Sequence, residues 1–130
     1  MNILIDTHIA LWSLYDDGRL SPEAAEYLCR ENNVVYYSLV SAWEIEIKHS
    51  LGKLEVPAEA FIEDCALMGF ELLPLKKEHI LEVSRVPYLP NGHKDPFDRM
   101  LMAQAISENM SFLTMDGKIR QYGYDWILDV

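Results

Sequence analysis

Short apolar runs of β character alternate along the chain with segments whose apolar residues recur at helical spacing. The runs Asn2–Ile5, Val34–Ser38, Phe70–Pro74, Ser111–Thr114 and Asp125–Leu128 predict strands. Between them, Thr7–Leu14, Pro22–Glu31, Ala42–Leu51, Ala58–Met68, Lys77–Ser84 and Phe97–Glu108 predict helices. Strict alternation of this kind implies an α/β domain, a doubly wound, mainly parallel five-stranded sheet with helices on both faces. Ser21-Pro22 opens one helix as N-cap and first residue, Gly69 closes another, and Gly52 follows a third. Val86–Lys94, with Pro87, Pro90 and Asn91-Gly92, reads as a loop. No linker, repeat or low-complexity tract breaks the pattern, so residues 1–130 are expected to form one domain.

The amino terminus, the cysteines and the charge balance add three constraints. Met1-Asn2-Ile3-Leu4-Ile5-Asp6 has no basic flank and a short apolar stretch, which predicts no signal peptide or membrane anchor and a cytoplasmic protein. Cys29 and Cys65 fall in helical segments without metal or disulfide spacing, and both are expected to be buried or half-buried. Twenty-one acidic residues stand against 11 basic ones, a net charge of -10. That balance argues against a protein that holds nucleic acid by bulk electrostatics. The objection weakens if several acids surround divalent cations, whose charge reverses the local field.

Four acids sit at telling places. Asp6 follows the first strand and Asp116 nearly follows the fourth, while Glu44 and Asp98 lie near predicted helix starts. Each has a structural explanation. Asp6 and Asp95 suit N-caps, Ser41-Ala42-Trp43-Glu44 has the pattern of a capping box, Lys48 can pair with Glu44, and Asp116-Gly117 can make a turn. Capping does not require the acids to meet, however. In a parallel sheet all four can lie on the rim where ligands bind, beyond the carboxyl ends of the strands. Converging carboxylates repel unless protons or cations intervene, and hard oxygen donors favour Mg²⁺ or Mn²⁺ over zinc. His8, His49 and His79 are expected at the surface or its boundary. His93, just ahead of Asp95, can touch a phosphate or cap a turn. Trp12, Trp43, Tyr36, Tyr37 and Phe97 suit core or interface packing.

With these residues the chain resembles the PIN domain, and within it the VapC-type toxins of toxin–antitoxin pairs. The likeness rests on Leu4-Ile5-Asp6-Thr7, on Ser41-Ala42-Trp43-Glu44-Ile45-Glu46-Ile47-Lys48 with Leu51-Gly52-Lys53-Leu54, on His93-Lys94-Asp95-Pro96-Phe97-Asp98-Arg99 running into Ala103-Gln104-Ala105, and on Leu113-Thr114-Met115-Asp116. The resemblance implies a Mg²⁺-dependent endoribonuclease, with Mn²⁺ a substitute, acting through metal-activated water on RNA. It maps the catalytic and metal-binding acids onto Asp6, Glu44, Asp98 and Asp116, with Glu44 either a ligand or the group that orients water. Asp95 and Thr114 are supporting residues in this mapping, and whether Asp95 or Asp98 is the nearer ligand stays open. Lys48, Lys94, Arg99 and His93 are candidate phosphate contacts, although a surface ion pair is the more common role for any one cation. A cognate antitoxin, a homodimer and no membrane association are also implied.

The competing reading is a catalytically silent or phospho-regulated α/β module that acts through a protein partner. Against a receiver, Asp6 stands alone before Thr7; against a haloacid-type phosphatase, His8 occupies the place of its second aspartate. No glycine-rich phosphate loop occurs.

Overall fold

The computed structural model describes residues 1–90 and 94–130. Strand β1 is Asn2–Ile5, followed by helix α1 at Thr7–Tyr15, a 3₁₀ turn at Asp17–Arg19 and α2 at Pro22–Cys29. Next come β2 at Val34–Ser38, α3 at Leu39–Ser50, α4 at Ala58–Leu67, β3 at Glu71–Leu73 and α5 at Lys77–Val83. The chain continues through α6 at Pro96–Glu108, β4 at Ser111–Thr114, α7 at Gly117–Arg120 and β5 at Ile127–Asp129. All strand pairs are parallel, in the order β3-β2-β1-β4-β5. The expected doubly wound sheet is what forms.

Ile3, Leu4 and Ile5 are fully buried because β1 is the central strand and carries helices on both faces. Each such side chain contributes about 1.5–3 kcal/mol when removed from water. Alternation sorts them: Ile3, Ile5 and Leu113 pack with Ile9, Ala24, Ile45 and Phe61 on one face. Leu4 and Phe112 pack with Leu101, Met102 and Ile119 on the other.

Several local expectations change. Helix α3 starts at Leu39, not Ala42, because the Ser38 hydroxyl accepts the Val40 N–H at 3.0 Å and caps the helix as the strand ends. Ser41 is therefore inside the helix, and the Ser41–Glu44 capping box does not form. Strand β3 is confined to Glu71–Leu73, β5 starts at Ile127, and the turn expected at Asp116-Gly117 becomes the short helix α7. Cys29 is exposed, whereas Cys65 is buried in an apolar setting that pushes its thiol up to about 12. His79 is fully buried, not peripheral: Nδ1 accepts the Lys76 N–H at 3.0 Å, leaving Nε2 to donate to Glu108 at 2.7 Å. Trp43 is 61% exposed, its ring set edge-on to Phe97 with centroids 5.3 Å apart. Among the described residues no helix is long and apolar enough to cross a membrane.

Candidate active site

The chain runs from β1 outward to β2 and β3, then crosses to β4 on the far side of β1. Adjacent connections therefore leave β1 and β4 in opposite directions, which opens a crevice beyond their carboxyl ends. A cleft of about 450 Å³ lies in this region, lined by Thr7, His8, Glu44, Lys48, Lys94, Asp95, Asp98, Asp116 and Lys118. A second hollow is lined by Asp6, His8, Trp12, Met115 and Asp116. His8 and Asp116 belong to both.

Asp6 follows directly on β1 and caps α1, its Oδ1 accepting the Ile9 N–H at 2.8 Å. Its Oδ2 accepts the Thr114 hydroxyl at 2.5 Å, and Thr114 Oγ1 in turn accepts the Asp116 N–H at 3.0 Å. One buried hydroxyl thus ties the ends of the two central strands together through two acids. Thr114→Val is expected to lower folding stability by about 1–3 kcal/mol, since it leaves a buried carboxylate oxygen and an N–H without that partner. Urea denaturation checks this, with Thr114→Ser expected to stay near wild type.

Asp116 caps α7 through the Lys118 N–H at 2.8 Å, and Asp95 caps α6 through the N–H groups of Phe97 and Asp98. Asp98 lies in the first turn of α6. Glu44, within α3, accepts the Thr7 hydroxyl at 2.8 Å on Oε1 and the Lys48 ammonium at 2.9 Å on Oε2. The structural roles anticipated for Asp6 and Asp95, and the Glu44–Lys48 pair, are all present, and the acids nonetheless meet.

Their proximity has an electrostatic consequence. Burial, and then the charges of Asp95, Asp6, Asp116 and Glu44, push the Asp98 carboxyl up to about 8. Burial likewise raises Asp6, against the lowering effect of its bonds from Thr114 and Ile9. Acids from positions 6, 44, 95, 98 and 116 therefore act on one another although most are far apart in the chain. Among the described residues no three of these side chains form a ready-made metal cage, each carboxylate that caps or pairs being turned toward its own partner. The donors nevertheless fit a hard divalent cation in kind: they are all oxygen, mutually repelling and gathered around an open cleft.

The candidate cations divide. Lys48 and Lys94 line the cleft, together with Lys118, which the sequence reading passed over. The signal for Lys118 was a lysine two residues beyond Asp116, where a helix start brings both to the same rim. Arg99, in contrast, has its guanidinium taken up within the protein. It is buried, donates to the carbonyls of Val83, Val86 and Pro87 at 2.6–3.2 Å, and packs 3.8 Å from the Tyr88 ring centroid. His93, the remaining candidate, lies outside the described residues.

A family model described as PIN domain matches residues 3–124. No curated protein matches the chain. Among solved structures, the fold is similar to that of VapBC2 from Rickettsia felis bound to a DNA fragment from their promoter. That likeness has a TM-score of 0.73 at 16% identity and covers 100% of this chain and 98% of the other. It is also similar to VapBC-1 from nontypeable Haemophilus influenzae, with a TM-score of 0.65 at 18% identity, covering 97% and 98%.

Proposed function

Because the chain belongs to the PIN domain family, we propose that it is a metal-dependent endoribonuclease and the toxin of a toxin–antitoxin pair. One observation carries the reading: a cleft beyond the central strands gathers Glu44, Asp95, Asp98 and Asp116 beside Asp6, with three lysines on its walls. Residues 1–130 act as one domain in this reading. Asp6, Asp98 and Asp116 would hold Mg²⁺ or Mn²⁺, with Glu44 as a further ligand or as the group that orients water, and Asp95 and Thr114 in support.

Such an ion supplies Lewis-acid activation of water and offsets charge at the phosphodiester. The protein's own groups do the rest. Lys48, Lys94 and Lys118 would supply ammonium donors to the RNA backbone, and only together with the charge of a bound cation would they offset the cleft acids of a chain of net charge -10. Thr114 keeps the Asp6 carboxylate aimed, and the α1 and α6 amino termini favour the negative charge of Asp6 and Asp95. Both similar structures are VapBC assemblies, which supports a protein antitoxin as partner. The net charge favours a basic segment in that partner. A homodimer would provide the longer RNA groove that one small acidic domain lacks.

Purified protein incubated with a total RNA pool is expected to yield discrete fragments with Mg²⁺ or Mn²⁺ and none with EDTA. Equally intact RNA under all conditions, from folded protein free of antitoxin, would sink the nuclease reading.

A further inference from the structure

Unlike Asp6, Asp95 and Asp116, Glu44 caps no helix, so its orientation has another cause. It is 7% exposed, and both carboxylate oxygens are engaged: Oε1 by the Thr7 hydroxyl at 2.8 Å, Oε2 by the Lys48 ammonium at 2.9 Å. Thr7 Oγ1 also lies 2.9 Å from Ser41 Oγ. A threonine hydroxyl has one hydrogen and an ionised carboxylate only accepts. The Thr7 hydrogen therefore goes to Glu44, and the Ser41 hydroxyl donates to Thr7. The relay runs Ser41 to Thr7 to Glu44, joining the start of α1 to the interior of α3.

The two contacts on Glu44 differ in stiffness. Lys48 holds its oxygen from a long stem whose side chain is 38% exposed. Thr7 is buried and β-branched, with few rotamers open to it, and Ser41 behind it is also buried. Thr7 also lines the cleft, one residue after Asp6.

We propose that Thr7, backed by Ser41, is a positioning residue for Glu44: it fixes one carboxylate oxygen and leaves the other for a cation, the place the Lys48 ammonium takes here. This rests on the nuclease reading above. Thr7 then sets how readily the cleft takes up a divalent ion, without itself touching the reacting atoms.

Mn²⁺ binding to the full chain, followed through the electron paramagnetic resonance of the free ion, tests the role beside RNA cleavage over the same Mn²⁺ range. Thr7→Val is expected to need about tenfold more Mn²⁺ for half-saturation of both signals, the usual scale for a residue that orients a metal ligand. Thr7→Ser is expected to restore the wild-type curve, and Ser41→Ala to shift it less, in the same direction. Melting curves identify any variant that fails to fold; if Thr7→Val does, the Ser41→Ala curve decides. Wild-type Mn²⁺ curves for Thr7→Val, or for Ser41→Ala in that case, would overturn the inference and leave the nuclease reading standing. Failure of Thr7→Ser to restore binding would overturn it as well, because the role would then belong to the methyl group. A wild-type chain that neither binds Mn²⁺ nor cleaves RNA would remove both proposals.

Discussion

Asp98→Asn is expected to abolish RNA cleavage while making the metal-free protein more stable. Both effects come from one cause. Asp98 is held among Asp95, Asp6, Asp116 and Glu44, and its carboxyl is pushed from 3.8 up to about 8. An acid raised in the folded state favours folding only while it keeps its proton. The contribution of Asp98 is therefore fully present below about pH 4 and is lost as the pH rises through about 8. At about 1.4 kcal/mol per unit the whole shift would be worth roughly 6 kcal/mol, and solvent screening in an open cleft leaves about 1–3 kcal/mol of it. Asparagine carries no charge at any of these pH values. At pH 8 without metal, the melting temperature of Asp98→Asn should exceed wild type by roughly 4–10 °C, and the difference should close toward pH 4. Saturating Mn²⁺ should stabilise wild type and do much less for the variant. Cleavage should fall by at least about 100-fold, above the usual loss for a residue that only supports a metal ligand. A variant less stable than wild type at pH 8 would show that the acids are not in the repulsive cluster described.

Arg99→Met is expected to be the most destabilising single change among the residues discussed. Methionine replaces the arginine stem but leaves the carbonyls of Val83, Val86 and Pro87 without the guanidinium, and Tyr88 without its cation. Hydrogen bonds from a charged donor to buried acceptors are worth about 1.5–3 kcal/mol each. With partial rescue by water, the loss should come to about 3–5 kcal/mol. Total stability of a domain this size is about 5–15 kcal/mol, so the variant should be marginal at 37 °C. Arg99→Lys should recover little, since one ammonium cannot reproduce the planar fork that reaches three carbonyls. Urea denaturation separates the possibilities: wild-type stability for Arg99→Lys would place the residue at the surface, as a phosphate contact would be.

The contrast between Asp98 and Arg99, adjacent in sequence, shows where local pattern stops being informative. Asp95-Pro96-Phe97-Asp98-Arg99 announces a helix start, and α6 begins at Pro96. Nothing within those five residues says that Arg99 turns toward the end of α5 and the residues just after it, more than ten positions earlier, where its carbonyl partners lie. His79 was misplaced for the same reason. Gln104 and Glu108, which approach its ring, are 25 and 29 residues away.

The strands were more legible. Ile3-Leu4-Ile5 before Asp6 and Phe112-Leu113 before Thr114 are apolar on both faces, as central parallel strands must be, and both strands appear at the expected residues. The start of α3 was less legible, because Ser41-Ala42-Trp43-Glu44 has a capping-box pattern while the cap that forms is Ser38, the last residue of β2. The Ser38 hydroxyl accepts the Val40 N–H and also donates to buried Gln104 at 2.5 Å, a partner far along the chain that the local pattern does not show. The cleft acids were visible only jointly, since nearly all of them also do the local work of a cap or an ion pair.

Anomalous diffraction from crystals of the protein grown or soaked with Mn²⁺ tests the central claim most directly. A manganese peak at about 2.0–2.2 Å from carboxylate oxygens of Asp6, Asp98 and Asp116 is the expected result. A well-ordered cleft that stays without such a peak at millimolar Mn²⁺ would contradict it and leave these acids as helix caps and surface partners only.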